Sequence, residues 1–409
     1  MEALVREEIA RGGPVTFARF MELALYAPGT GYYARPDRRI GRHGDFYTSV
    51  SVGPTFGFLL AVQFATWARA AGWERWDLVE AGAHDGRLTD DILTALADFE
   101  PELGGRVRCR IIEPFPARMA VQRDRLARWG EQIAWQAGWG TTGEGSPSLT
   151  DPRLPAAGSG GSPTAAVPGA SGMNRPAPFA ICHSPFARSP GPVRGVIVAN
   201  ELLDAFPIHR LAWDAHSRVW FEWGVGVEND RLTWCRMEPD PVLLPVHLAP
   251  LEAVLPDGFV VEVSPGAEAW WRQAAGALEQ GWLVAFDYGF DEEAAVSPAR
   301  RNGTARAYFQ HRVSDDLLAR PGDQDLTAHV DFGRLMRAGE ETGLRTETWL
   351  PQGRWLGQLA AEIVRAGGPA SDWLVAHARQ LQTLTHPVHL GQAFRVLVQS
   401  RGVVVSTPP

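Results

Sequence analysis

The chain has 409 residues, 45% hydrophobic and 21% charged, with a formal net charge of −8. That length buries a sizeable core in one large domain or in two to three smaller ones, and the acidic balance argues against a general affinity for nucleic acid or anionic membrane. Cys109, Cys182 and Cys235 lie far apart with no paired spacing, which argues against a disulfide framework or a thiolate metal site and fits a reducing compartment.

The N-terminus MEALVREEIARGG carries early acids and no apolar signal core, so a cytoplasmic protein is expected. Phe58 to Ala71 is apolar but broken by Gln63, Thr66 and Arg69. It is too short to span a bilayer and reads as a buried helix. Strands are predicted at Trp76 to Glu80, Arg106 to Glu113, Val193 to Ala199, Phe259 to Val263, Trp282 to Asp287 and Phe394 to Gln399. Helices are predicted at Arg87 to Phe99, Pro116 to Arg128 and Gly266 to Gln280. This alternation implies an α/β fold with a largely parallel sheet. Thr141 to Pro192 has Gly or Pro at 18 of its 52 positions and reads as a flexible excursion between two strands. The aromatic-rich runs around Glu228-Asn229-Asp230, within Ile208 to Met237, read as an antiparallel hairpin, part of an insertion over about 208–258.

The stretch LVEAGAHDGRL (78–88) ends a buried strand at Glu80, turns through Gly82 and Gly86 and enters a helix. Such a turn offers backbone N–H groups and close-approach glycines to a ligand at the sheet's C-terminal edge. The next strand ends at Glu113, where nucleotide sites commonly place a carboxylate for the ribose hydroxyls; a solvated acid at a strand end is the competing explanation. NAD and FAD need a dense G-x-G-x-x-G turn for two phosphates, whereas His84-Asp85 would set a carboxylate beside them. S-adenosylmethionine has no phosphate and carries a sulfonium and an ammonium, so the loop favours the methyl donor.

After the strand VRGVIVA come Asn200, Glu201 and Asp204. Methylation of a guanidinium needs carboxylates that grip its planar fork and draw off a proton. Glu201 and Asp204, three apart, suit that task on one face of a helical turn. Alternatively, Asn200 caps a helix that contains both acids. Asp325, Thr327, His329 and Asp331 alternate and share a face if extended; His329 is either a proton acceptor or a structural histidine. His386 and His389 have no nearby third ligand, so no metal site is predicted.

The segments LALYAPGTGYY (23–33), GDFYTS (44–49), EAGAHDGRL (80–88), IEPFP (112–116), ANELLDAFP (199–207), EVSPGA (262–267), FDYG (286–289), GTARAYFQH (303–311), PGDQDLTAHVDF (321–332), QGRWL (352–356) and LGQAFRVL (390–397) resemble the MidA-like S-adenosylmethionine-dependent methyltransferases. These relatives include a mitochondrial protein-arginine methyltransferase that assists respiratory complex I assembly. Their donor loop usually reads like E-L-G-P-G-R-G, so His84 stands at the central glycine and Asp85 at a commonly basic position.

The resemblance implies a Rossmann-like class I methyltransferase sheet, with an N-terminal segment (1–56) covering the site and a methyltransferase domain (57–409) carrying the hairpin insertion and C-terminal additions. It implies S-adenosylmethionine held by Asp45, Thr48, Ser49, Glu80, Gly82, Gly86, Glu113 and Asn200, and catalysis by Glu201, Asp204 and His329. The implied partner is a protein substrate whose arginine is methylated, a complex I subunit among the candidates, and a homodimer is compatible. Two rivals remain open from the residues: a non-catalytic donor-binding assembly factor and a nicotinamide oxidoreductase.

Overall fold

The computed structural model describes residues 1–35, 48–139, 191–310 and 312–403. Its central sheet contains, in chain order, β1 (Trp76–Ala81), β2 (Val107–Ile112), β3 (Ile133–Gln136), β4 (Val193–Asn200), β5 (Leu278–Phe290), β6 (Arg345–Pro351) and β7 (Phe394–Arg401). Their spatial order is β6-β7-β5-β4-β1-β2-β3. Strands β1 to β5 pair in parallel, and β7 runs antiparallel between β5 and β6. The strand order reverses between β1 and β4, and ligands of open α/β sheets bind beyond the carboxyl ends of the strands at such a reversal.

The main helices are α1 (Glu2–Gly12), α2 (Phe17–Tyr26), α3 (Thr55–Ala70), α4 (Arg87–Phe99), α5 (Pro116–Arg125), α6 (Pro265–Ala277), α7 (Phe332–Glu341) and α8 (Gln352–Ala366). Side chains alternate across the sheet. Leu78, Val196, Val198, Trp282, Val284 and Phe286 join one core with α3, α4 and α8. Val79, Ile197, Ala199, Leu283 and Ala285 join the other with Trp271 of α6 and Phe332 of α7. Both faces are covered, which is why these strands read as near-continuous apolar runs. The apolar stretch that opens at Phe58 belongs to α3 and packs against the sheet, as expected of a buried helix.

A second, antiparallel sheet holds His209–Asp214, Val219–Glu228 and Arg231–Met237, with Val15–Thr16 adding a short edge. The hairpin expected around Asn229-Asp230 is present, and both residues take positive φ, +49° and +58°. That backbone suits the right-handed twist of the flanking strands. The Phe259–Val263 run differs from expectation: Val260–Val263 pairs with His209–Asp214 in this second sheet, because the chain returns to the central sheet only after α6. The N-terminal helices share a core with the insertion and with residues near 305–328, through Phe17, Phe20, Met21, Ile208, Val225, Leu317 and Leu326. The Gly/Pro-rich excursion lies outside the described residues except for Gly191 and Pro192, as does Asp45.

Candidate active site

The donor-loop residues gather at the carboxyl ends of β1 and β2. Glu80 closes β1, buried, and accepts a short hydrogen bond from Thr89 Oγ1 of α4. Burial pushes its carboxyl up to about 7. Gly82 and Gly86 take φ +71° and +82°. A Cβ on Gly82 would come within 2.7 Å of Leu202 Cδ1, and one on Gly86 within 3.0 Å of Leu126 Cδ1. The two glycines are therefore required by the loop's own backbone and packing, in addition to any ligand approach.

His84 also keeps a left-handed backbone, φ +47°. The fold imposes the glycine-like conformation although the glycine is gone. Gln122 explains how: its buried amide donates to the His84 carbonyl at 3.0 Å and to Glu113 Oε2 at 2.9 Å. Asp85 faces away from the loop centre, pairing with Arg125 at 2.8 Å and accepting from Arg87 N at 3.1 Å at the start of α4. Burial alone would raise its carboxyl, but His84, Arg125 and the Arg87 amide hold it down at about 2. A left-handed non-glycine residue costs ~1–2 kcal/mol and glycine's extra chain entropy ~0.5–1 kcal/mol, so His84→Gly should leave stability equal or raised by up to about 1 kcal/mol in urea unfolding.

Glu113, just past β2, is buried with Oε1 accepting from Phe115 N at 3.0 Å and Oε2 from Gln122. Each oxygen accepts one bond here and retains capacity for another. Burial raises this carboxyl as well.

A second cluster is built at the ends of β4 and β5. Glu201 takes φ +50°, and only a three-residue 3₁₀ turn, Leu203–Ala205, follows. Both helical expectations therefore fail. The acids do not share a helical face, and Asn200 caps no helix but donates to Glu201 Oε1 at 3.1 Å. Asp287 of β5 organises the turn, its Oδ2 accepting from Leu203 N at 2.9 Å and Asp204 N at 3.3 Å. Ser49 N donates to Glu201 Oε1 at 3.1 Å. The Thr48 hydroxyl accepts from Ser51 N at 3.1 Å in a capping box, which leaves its O–H as the donor for other partners.

Glu201, Asp204 and Asp287 are enclosed, and none of them pairs with a basic side chain among the described residues. Burial, then the neighbouring Asp287, pushes Glu201 up to about 8. Burial with Asp287, Asp325 and Glu201 pushes Asp204 well above the carboxylate range. Asp287 itself rises to about 7 by burial, against the amides it accepts. The N-terminal segment reaches this cluster: Tyr26 OH donates to Ala205 O at 2.7 Å, and Tyr33 OH to Asp325 Oδ2 at 2.9 Å.

His329 stacks on Tyr288 with ring centroids 6.3 Å apart and donates its backbone N–H to Thr304 Oγ1 at 2.8 Å. Its edge is open to solvent, yet crowding and the nearby Arg300 hold the imidazole well below its ordinary range. That makes it a weak base. Asp331, on the same stretch, caps α7 through Arg334 N at 3.1 Å.

The residues fit the methyl donor. Asn200 Oδ1 and Glu201 Oε2 are buried acceptors with no hydrogen-bond partner among the described residues, and Glu113 and the left-handed loop stand at the same end of the sheet. Among the described residues no His/Cys/Asp/Glu group is arranged to hold a metal.

A parallel sheet with an antiparallel strand near one edge and a Gly-x₃-Gly loop at its reversal defines a Rossmann-like class I methyltransferase. Residues 59–349 match the pattern of a family of S-adenosyl-L-methionine-dependent methyltransferases, and the chain belongs to this family. It is an S-adenosylmethionine-dependent methyltransferase.

A crystal structure of a Burkholderia thailandensis protein bound to S-adenosyl-homocysteine superposes with a TM-score of 0.76 at 26% identity, covering 98% of this chain and 92% of that one. Two similar relatives are named mitochondrial protein arginine methyltransferases. The Xenopus tropicalis protein NDUFAF7 is 27% identical over 81% of this chain and 68% of its own length. Its Drosophila melanogaster homolog is 26% identical over 98% and 85%.

These mitochondrial names overturn the cytoplasmic expectation. Sparse cysteines report a reducing milieu, which more than one compartment supplies. No helix among the described residues is long and apolar enough to cross a membrane.

Proposed function

We propose that this enzyme transfers the donor's methyl group to a guanidinium nitrogen of a protein arginine. The observation that carries the reading is the set of three carboxyls, Asp204 and Asp287 buried and Glu201 half-buried with its Oε2 enclosed, with no cation among the described residues to compensate them. An isolated buried acid is costly and stays protonated until an opposite charge arrives. A guanidinium is always charged and presents five donors in a planar fork, so it compensates several acids at once.

The donor supplies an electrophilic methyl on sulfur, with a neutral thioether as leaving group. On the enzyme's side, Glu113 and Asn200 are the groups to hold the donor, Glu80 and the glycine turn support the loop, and Thr48 and Ser49 approach from the N-terminal segment. Glu201 and Asp204 align the guanidinium. As the N–CH3 bond forms and the S–CH3 bond breaks, Glu201 takes the proton displaced from the attacking nitrogen. Alignment and charge neutralisation supply most of the acceleration. His329, a weak base open to solvent, is a lesser candidate for the proton. The relatives' names support the arginine acceptor, and the family resemblance supports a complex I subunit as the protein that carries it.

The test is transfer from isotopically labelled donor to whole cell lysate, with the modified residue located by mass spectrometry. Label on an arginine side-chain nitrogen is expected. Label confined to lysine, carboxylate or small molecules would refute the assignment, and no transfer by a chain that binds the donor would favour the non-catalytic assembly-factor reading.

A further inference from the structure

We propose that Asp287 is a positioning residue for methyl transfer, clamping the left-handed turn after β4 through backbone amides and setting the charge against which Glu201 receives the acceptor's proton. This rests on Glu201 being the acceptor-side base.

The geometry begins with strand register. Asn200 at the end of β4 lies opposite Phe286 of β5, and Glu201 N donates to Phe286 O at 2.9 Å. The ladder thus runs one residue past the strand and fixes where the turn starts. The next residue of β5 is Asp287, only 1% exposed. Its Oδ2 takes the amides of Leu203 and Asp204, and its Oδ1 takes Tyr288 N at 2.8 Å. Two N–H groups that the abrupt turn would otherwise leave orphaned, and one of β5 itself, are satisfied by one side chain. The same bonds hold Glu201 at φ +50°, a conformation a non-glycine residue adopts only when its surroundings over-determine it.

A neutral acceptor could satisfy amides too, so the carboxylate's charge needs its own explanation. Among the described residues, the groups that face this turn are acids, phenols and amides. Glu201 meets Asp287, Asn200 and the Ser49 amide, while Asp204 meets Asp287, Asp325 and Glu201. Tyr26, Tyr33, Tyr288 and Tyr308 surround the same acids from the N-terminal segment, β5 and the strand at Arg306–Phe309. No base among them offsets Asp287. When Asp287 is ionised, above about pH 7, its charge raises the affinity of Glu201 for a proton until a cationic acceptor enters.

The experiment follows single-turnover label transfer to lysate protein against pH for the full-length chain and for Asp287→Asn, Asp287→Glu and Glu201→Gln, with S-adenosyl-homocysteine affinity by calorimetry as the folding control. Asp287→Asn is expected to slow transfer by roughly 10–100-fold and to move the acid limb of the profile down by about one pH unit, with unchanged S-adenosyl-homocysteine affinity. Asp287→Glu keeps the charge but displaces the clamp, and should slow transfer with the limb unmoved. It carries the test alone if Asp287→Asn does not bind S-adenosyl-homocysteine, and full activity in it would then overturn the proposal. Wild-type rate and profile in Asp287→Asn overturn the proposal, and so does a slower enzyme with an unmoved limb, which is what turn-building alone would give. A silent Glu201→Gln instead removes the base on which the proposal stands, whereas an inactive Glu201→Gln beside a silent Asp287→Asn removes only the positioning role.

Discussion

Glu201→Gln is expected to lower methyl transfer by about 10²–10⁴-fold, the usual worth of a positioned acid–base group. Donor affinity should remain close to wild type, because the lost proton acceptor serves the other substrate. The change is isosteric, and the amide oxygen can still accept the Ser49 N–H bond seen at 3.1 Å. The direction of the pH dependence follows from burial, then Asp287, pushing this carboxyl up to about 8. Below that pH the free enzyme holds Glu201 protonated and unable to receive a proton, so kcat/KM should fall with acidity on a limb near pH 8. A bound guanidinium favours the carboxylate, so the matching limb in kcat should lie lower. Both limbs should vanish in Glu201→Gln. Undiminished single-turnover transfer by this variant would exclude Glu201 as the base and make His329 the next residue to replace.

Glu113→Ala should weaken binding of the donor and of S-adenosyl-homocysteine by about 1.5–3 kcal/mol, the range for hydrogen bonds to a charged group. The loss has two sources. Removing the carboxylate would delete the acceptor proposed for the ribose hydroxyls, and it frees one of the two bonds by which Gln122 joins the donor loop to the turn after β2. Calorimetric titration separates them: Gln122→Leu keeps Glu113 while releasing the His84 carbonyl, so a comparable loss there would assign the effect to loop placement. Unchanged affinity in a folded Glu113→Ala protein would remove Glu113 from the donor site.

The central sheet was legible because both its faces are covered, leaving unbroken apolar runs that stand out against their flanks. β3 was not, since Ile133–Gln136 is a four-residue edge with one fully buried side chain. β6 was also missed, because a partly exposed edge strand with Arg345, Glu347 and Pro351 carries little β signal. The donor loop was legible in Gly82 and Gly86, whose backbone demands are local. Gln122 was not, because an amide in the middle of a helix gives no hint that it turns inward to join two loops. Asp287 stood within a recognised segment but had no assigned role. Its importance depends on strand register, which brings the ends of β4 and β5 together across more than eighty residues of chain and leaves no mark in local sequence. The helical reading of Glu201 and Asp204 failed for a related reason: i,i+3 spacing describes a helix only where the backbone is one.

The antiparallel placement of β7 bears on how the protein is made. β5 ends at Phe290, but its neighbour on one side does not begin until Phe394, so about one hundred residues are synthesised between them. At roughly 5–20 residues per second the apolar edge of β5 waits on the order of 5–20 s for its partner. β6 is completed earlier yet has no place to dock, because β7 must lie between it and the rest of the sheet. During that interval the nascent chain presents an unpaired, hydrophobic strand edge, the surface most prone to pairing with another chain. The connectivity that encloses the catalytic sheet thus makes holding the unfinished chain apart from its neighbours a requirement of its biogenesis.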